Sequence, residues 1–521
     1  MKQPYVLGIE LGSTRIKSVL IDEKASVVAQ GSYEWKSTLN NGLWSYPQEE
    51  MLRGLQASYA DLAQSYQTVF GEELTELSAI GISAMMHGYL AFDENDRLLV
   101  PFRTWQNTNA KDASEELTEQ LQFHVPMRWS ASHYYQAILN REPHVAQVAY
   151  INTLSGYIHF LLSGSFVLGV CDASGMFPVK DNDYNAEMIA RFNEMLASHG
   201  IKKDFKSMLP RVLVAGEQAG TLTENGARLL DPTGKLKAGC PLCPPEGDAG
   251  TGMIATNAIT PKTANVSAGT SAFLMAVLER ELDTYYREID VINTPCGAPV
   301  AMVHANNFTG EMNAWAAMFE ELLSLYGIDA NHSRLFDTLY THSLNADADC
   351  GGLVGYPFLA GEPIVGVAQG MPLITHAPNG KLTLANFMKM HIYSALAPLA
   401  VGMETLHREG VSLDGVCGHG GFFKTPLVGQ RAMSAALGAP VTVMKNSGEG
   451  GAWGIALLAL LTVSEEKNAY RFLDGIFSET GKTTLSATDE DKSSFAAFLK
   501  AYKAYLSVQK TAAEVAECSK N

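Results

Sequence analysis

The sequence predicts an α/β protein built from two similarly organised halves, and three observations carry that expectation. The chain has 521 residues, too many for one core of ordinary size. A strand, a tight turn of small hydroxyl residues and a second strand are read at Gly12 and again at Gly269, roughly 257 positions later. Each pair is followed by further strand and helix segments, the mark of a duplicated architecture.

Taken in order, Tyr5 to Ala29 reads as a β-meander: a strand to Leu11, the turn Gly12-Ser13-Thr14, an alternating strand from Ile16 to Ile21, and a third strand. Glu49 to about Phe70 has helical apolar spacing, and Ser78 to Ser83 reads as a buried strand running into Met85-Met86-His87-Gly88. Glu115 to Gly164 is expected to be mainly helical, Asp181 to about His199 another helix, and Lys202 to Ala219 a polar connection. Helices follow at Asn313 to Tyr326 and Leu384 to Arg408. A strand then enters the glycine loop Gly418 to Gly421, with a helix from Pro426 to Leu437, a short strand Val441 to Met444 and an apolar helix from Glu449 to Leu461. The charged tail from about Asp489 reads as helical and peripheral.

Composition narrows the function. A formal net charge of -17 and a pI near 5.2 argue against nucleic acid and against adhesion to anionic lipid. The seven cysteines are scattered and odd in number, so no disulfide framework is expected and a reduced cytoplasm is the expected compartment. Cys240-Pro-Leu-Cys243 lacks a second pair to complete a metal site. No basic-then-apolar signal opens the chain, and its apolar runs fall short of a membrane span.

Chemistry concentrates in a few stretches. In Pro244-Pro-Glu-Gly-Asp248-Ala-Gly-Thr-Gly252 a carboxylate stands among glycines, which lets backbone approach a bound group, so Asp248 is the candidate catalytic base. The Gly12-Ser13-Thr14 and Gly269-Thr270-Ser271 turns offer N–H groups and hydroxyls to phosphates, with Lys17 adding positive charge. Glu10 beside such a phosphate is tolerable as a metal-side ligand. His87 lies just beyond a strand end, where open α/β sheets hold ligands. Trp105 among amides suits a polyhydroxylated ligand, with its apolar C–H faces and rim of hydroxyls. A nucleotide is expected between the halves, with the glycines at 418–421 holding its base.

These elements, in this order, resemble the FGGY carbohydrate kinases of the sugar kinase, actin and Hsp70 superfamily. The likeness runs from the first strand to about Leu461. Glu10-Leu-Gly-Ser-Thr14 resembles the first phosphate loop, Gly247-Asp248-Ala249 the catalytic-base segment and Ser267 to Ser271 the second phosphate loop. Gly418 to Lys424 with Gln430 resembles the adenosine loop, Tyr356 to Glu362 the Pro-Tyr-x-x-Gly-Glu run, and Trp44-Ser-Tyr-Pro47 a shortened Trp-x-x-x-Pro cluster. Met86-His87-Gly88 is most similar to xylulokinases and other ketose kinases.

The resemblance implies two ribonuclease H-like (actin-like ATPase) domains with a nucleotide and sugar cleft between them: 1–256, 257–485 and a helical tail at 486–521. It implies ATP-dependent phosphorylation of a ketose such as xylulose or a related pentulose, hexulose or heptulose. Asp248 is then the base, and Glu10 and Asp248 hold Mg2+. Gly12, Ser13, Thr14, Lys17, Gly269, Thr270, Ser271, Gly420, Gly421, Lys424 and Gln430 bind ATP, and Met86, His87, Gly88, Trp105, Asn107 and Asp248 bind the sugar. The partner is a small sugar, with no nucleic acid and no membrane, and the oligomeric state stays open, a homodimer included. The chain departs from the family at Glu10, where Asp is usual, at Trp105-Gln-Asn-Thr-Asn109 in place of Trp-Asn-Asp-x-Arg, at Gln136 and Leu139 in place of Lys and Trp, and at Ala435 in place of Asp. Those departures keep a second reading open, a sugar-binding regulator or non-sugar ATPase of the same superfamily.

Overall fold

The computed structural model describes residues 5–444, 450–478 and 481–518. The chain divides into two units: one of Met1–Thr260, Arg280–Val300 and Glu449–Glu479, the other of Pro261–Glu279, Ala301–Gly448 and Thr480–Asn521. The helix Gly450–Val463 thus belongs with the N-terminal residues, although it lies inside the span 257–485 read as the second domain. Glu449, expected to open that helix, lies outside the described residues.

In the first unit the meander is present as Val6–Leu11, Arg15–Ile21 and Val27–Glu34, antiparallel in sequence order. Ala79–Ala84 runs parallel to Val6–Leu11 on its other side, and the two-residue strand Glu246–Gly247 runs parallel to Ala79–Ala84. Helix Gln48–Phe70 buries Met51, Leu55, Ser58, Tyr59, Leu62 and Tyr66, one face at helical spacing. It lies so close on the third strand that a Cβ at Gly31 would come within 2.2 Å of the Leu62 nitrogen. Gly71 stops it in the left-handed conformation (φ 73°), its N–H on the Gln67 carbonyl.

Helix Gly450–Val463 is apolar on every side and buried through nearly all its length. A Cβ at Gly8 would lie 2.1 Å from the Ala452 carbonyl oxygen, and one at Gly454 would lie 2.1 Å from that of Thr251. Glycine at these points lets the helix rest directly on the backbone of the first strand and of helix Asp248–Ala255.

The second unit repeats the plan. Thr263–Ala268 pairs antiparallel with Ala272–Val277 and parallel with Gly415–His419. The order Pro299–Ala305, Ala272–Val277, Thr263–Ala268, Gly415–His419 matches that of the first unit's meander and its parallel neighbour, and Val441–Met444 and Lys482–Leu485 extend it. Helix Leu384–Arg408, capped by Thr383 accepting the Asn386 N–H, precedes the parallel strand as Gln48–Phe70 does in the first unit.

The mainly helical reading of 115–164 holds, with breaks, and the helix stop at Gly164 is present, whereas the reading of the tail needs correcting. The span 115–164 is broken into helices Lys111–Leu121, Ser130–Leu139 and Leu154–Ser163, with the short strand Tyr150–Asn152 between the last two. Pro126 follows the first helix and Pro143 heads a 3-10 turn after the second, and proline cannot donate to a continuing helix. The tail is not peripheral: helix Asp489–Cys518 buries Phe495, Phe498 and Tyr502, with the Tyr502 ring 4.6 Å from that of Tyr356. Phe498→Ala is therefore expected to lower the unfolding free energy by about 3–5 kcal/mol. Exposed Lys500→Ala should stay within about 0.5 kcal/mol, both read from urea midpoints.

Candidate functional site

Strand register assembles the first unit's site. Glu10 lies opposite Ser83, and Ser83 opposite Glu246; one residue on, Leu11, Ala84 and Gly247 form the next row. The three parallel strands therefore end level, and the residues just past them meet at one edge of the sheet. Asp248 follows as the first residue of helix Asp248–Ala255, not in an open turn. The Met86 N–H donates to Asp248 Oδ1 at 3.2 Å, joining the Met86-His87-Gly88 turn to the acid. Asp248 is reachable by water, yet protein crowds it closely enough that burial pushes its carboxyl up to about 6.

Glu10 is half-buried beside it. Burial and then the Asp248 charge push the Glu10 carboxyl up to about 7, opposed by the Ala452 N–H and Lys17. Ala452 donates to Glu10 Oε2 at 3.2 Å, so the longer side chain reaches the first turn of helix Gly450–Val463. Lys17 sits directly across from Glu10 on the second strand. Among the described residues no cluster of three or more His, Cys, Asp or Glu side chains is placed to hold a metal. Two mutually repelling carboxylates nevertheless suit Mg2+, which keeps several waters and takes its remaining ligands from substrate phosphates.

His87 is held at φ 71° with its ring stacked on Trp129, 6.3 Å between centroids. Its Nδ1 is 3.3 Å from the Gly175 carbonyl. Burial, then the charge of Arg128, pushes the imidazole down to about 3, so the ring is neutral. Gly88 donates its N–H to the Arg128 carbonyl at 3.0 Å. The Arg128 guanidinium pairs with Asp290, which also takes His124 Nε2 at 3.2 Å. Burial raises the Asp290 carboxyl, but Arg128 and His124 outweigh it and hold the group below the usual carboxylate range. Trp105 is exposed, and its indole N–H donates to Ser13 Oγ at 3.2 Å, tying this side to the first small-residue turn.

Behind Asp248 lies a pair of acids that sequence reasoning did not single out. Asp172 accepts the hydroxyls of Thr153, at 2.7 Å, and Ser155, and its own N–H donates to Glu246 Oε2 at 3.0 Å. Both carboxyls are buried, and burial raises both, Asp172 to about 7 and Glu246 well above its ordinary value. The available signal was an acid amid small residues, Cys171-Asp-Ala-Ser-Gly175, with Thr153 and Ser155 upstream. Arg128 and His124 had no such signal, because the acid they share, Asp290, lies 162 positions beyond Arg128.

In the second unit the turn Gly269-Thr270-Ser271 follows strand Thr263–Ala268, with the Gly269 N–H on the Ser271 carbonyl at 2.9 Å. Gly420, at φ 106°, packs against Ala268: a Cβ there would lie 2.3 Å from the Ala268 oxygen. The glycine loop and this turn are thus adjacent, with Gly421 and Lys424 exposed beside them.

Two residues expected to touch ligand are committed elsewhere. Asn107 is buried; its Oδ1 accepts the Trp44 N–H and its amide donates to the carbonyls of Trp44 and Thr104. Gln430 is buried with both amide hydrogens used, on the carbonyls of Val441 and Thr483. Neither amide has a donor left for a sugar or a nucleotide.

Two family patterns match in succession: the N-terminal domain of the FGGY family of carbohydrate kinases over residues 5–242, and its C-terminal domain over 264–463. The chain belongs to the FGGY family of carbohydrate kinases. Among relatives of this kinase, the xylulose kinase of Haemophilus influenzae is 22% identical over 485 residues, 85% of this chain and 91% of that one. A xylulose kinase structure from Brucella ovis superposes with TM-score 0.77 at 17% identity, covering 97% of this chain and 99% of that one. A gluconate kinase from Lactobacillus acidophilus gives TM-score 0.78 at 18% identity, covering 98% and 99%. At these identities the structures establish the shared fold. No helix among the described residues is long and apolar enough to cross a membrane.

Because Asp290 is held below its ordinary value, its contribution to this kinase's stability is complete above about pH 4 and fades as pH falls below that. Asp290→Asn should lose that component: urea titrations should show lower stability at neutral pH and a flatter acid dependence than wild type.

Proposed function

We propose that this kinase transfers the γ-phosphoryl of ATP to a hydroxyl of a ketose, xylulose or a related pentulose, hexulose or heptulose, with Asp248 as general base. The observation that carries this reading is the Met86 N–H on Asp248 Oδ1 at 3.2 Å, which fixes one carboxylate oxygen beside the Met86-His87-Gly88 turn. The N–H groups of Ala249 and of Asp248 itself also steady the carboxylate, which stays exposed and would accept a hydroxyl proton as the new P–O bond forms. A base raised to about 6 is ionised at neutral pH yet holds a proton better than an ordinary aspartate.

A neutral His87 and the Trp105 face suit an uncharged sugar, which needs hydrogen bonds and an apolar wall more than charge. The Arg128–Asp290 pair beside that turn supplies an arginine and an acid on the side where the Trp-Asn-Asp-x-Arg pattern is lost. The turns at Gly12 and Gly269 donate N–H groups to the phosphates. Glu10 and Asp248 would hold Mg2+, which neutralises phosphate charge when bound. Buried free cysteines are at home in a reducing cytoplasm, where we place the enzyme.

Asp248→Asn keeps the shape and removes the proton acceptor; kcat should fall by about 10²-fold or more with folding unchanged. For the wild-type enzyme kcat/KM for the sugar should rise with pH through about 6 as Asp248 ionises. Near-normal turnover by the variant, or a flat profile across that range, would remove Asp248 from the reaction. Glu10→Gln retains the reach to Ala452 without the charge. It should raise the Mg2+ concentration needed for half-maximal rate, measured by ADP release across pentuloses, hexuloses, heptuloses and polyols.

A further inference from the structure

The two small-residue turns are aimed by the same device, built from unrelated residues. In the first unit every carbonyl of the turn is occupied from outside. Gly12 O accepts the Trp35 indole N–H at 2.6 Å, Ser13 O accepts the Tyr46 hydroxyl at 2.6 Å, and Thr14 O accepts the Trp35 backbone N–H at 3.1 Å. Trp35 and Tyr46 are both buried and their rings lie 4.2 Å apart, so the two donors brace each other. In the second unit Gly269 O accepts the Thr309 hydroxyl at 2.7 Å and the Thr309 N–H at 3.3 Å, and Thr270 O accepts the Phe308 N–H at 2.9 Å. Among the described residues nothing accepts the N–H groups of Ser13 and Thr14, or of Thr270 and Ser271.

That asymmetry has a physical consequence. A glycine peptide reorients at little cost, and a reversed Gly12 or Gly269 plane would turn a carbonyl dipole where an anion is to be held. A donor on each glycine carbonyl opposes that reversal, and donors on the following carbonyls leave successive N–H groups facing one way, the arrangement that binds anions. We propose that Tyr46 and Trp35 in the first unit and Thr309 in the second are positioning residues. They hold the two turns in the anion-accepting orientation through carbonyls that themselves touch no ligand. The inference rests on the reading that these turns hold the phosphates of ATP.

The test removes donors and keeps shape. Tyr46→Phe and Thr309→Val should each raise KM for MgATP by about five- to tenfold, the worth of one hydrogen bond, with KM for the sugar changed less than about twofold. Thr309→Ser, which restores the hydroxyl, should return KM for MgATP close to wild type. Thr14→Glu and Ser271→Glu probe the underlying reading, since each sets a carboxylate at a turn and should raise KM for MgATP about a hundredfold. If those two weaken MgATP while Tyr46→Phe and Thr309→Val leave it unchanged, the positioning role is refuted and the phosphate reading stands. If the glutamate variants bind MgATP normally, both fall. Equal rises in the MgATP and sugar constants for Tyr46→Phe or Thr309→Val would mark a general loss of structure and also overturn the proposal.

Discussion

The arrangement depends on three parallel strands ending in register. Leu11, Ala84 and Gly247 are neighbours across the sheet, so Glu10, Met86 and Asp248 converge although 162 residues separate Met86 from Asp248. Backbone pairing sets this level edge, and a shift of one residue would turn each side chain to the opposite face. Glycines at 8 and 454 add to the constraint by letting helix Gly450–Val463 seat directly on the sheet and on helix Asp248–Ala255. The head of that apolar helix delivers the Ala452 N–H to Glu10.

Electrostatics follow from that packing. Asp248, Glu10, Asp172 and Glu246 share one low-dielectric region, and burial is the leading cause of the upward shift in each. Within the group, Asp172 and Glu246 are buried, each with one carboxyl oxygen held by hydroxyls or backbone and the other without a hydrogen-bond partner among the described residues, while Asp248 remains open to water. Of the four, Asp248 and Glu10 are both shifted toward neutrality and both reached by solvent, Asp248 the more exposed, whereas Asp172 and Glu246 are shut away from water. The Arg128–Asp290 pair beside His87 behaves in the opposite way: each charge stabilises the other, and buried His87 stays an oriented, uncharged group.

The repeated topology explains why one device occurs twice. In both units the first strand leads through a glycine turn into an antiparallel partner while a parallel strand flanks its other edge. The turn therefore occupies the same structural place in each, and each solves the same problem of fixing a flexible peptide with the donors at hand: aromatic side chains in one, a threonine and backbone in the other.

The sequence by itself determined the element order, the duplicated halves, both turns and Asp248 among its glycines, because turn chemistry and apolar periodicity are local. FGGY family membership was legible for the same reason, its motifs being short runs. Tertiary structure alone decided which polar side chains are spent internally: Asn107 and Gln430 looked like ligand contacts in one dimension, but folding brings Trp44, Val441 and Thr483 to consume their hydrogens. It also decided that helix Gly450–Val463 returns to the first unit, that the charged tail buries an aromatic face, and that Arg128 meets Asp290 across 162 positions. Such pairings depend on chain crossing and burial, and no local pattern encodes them.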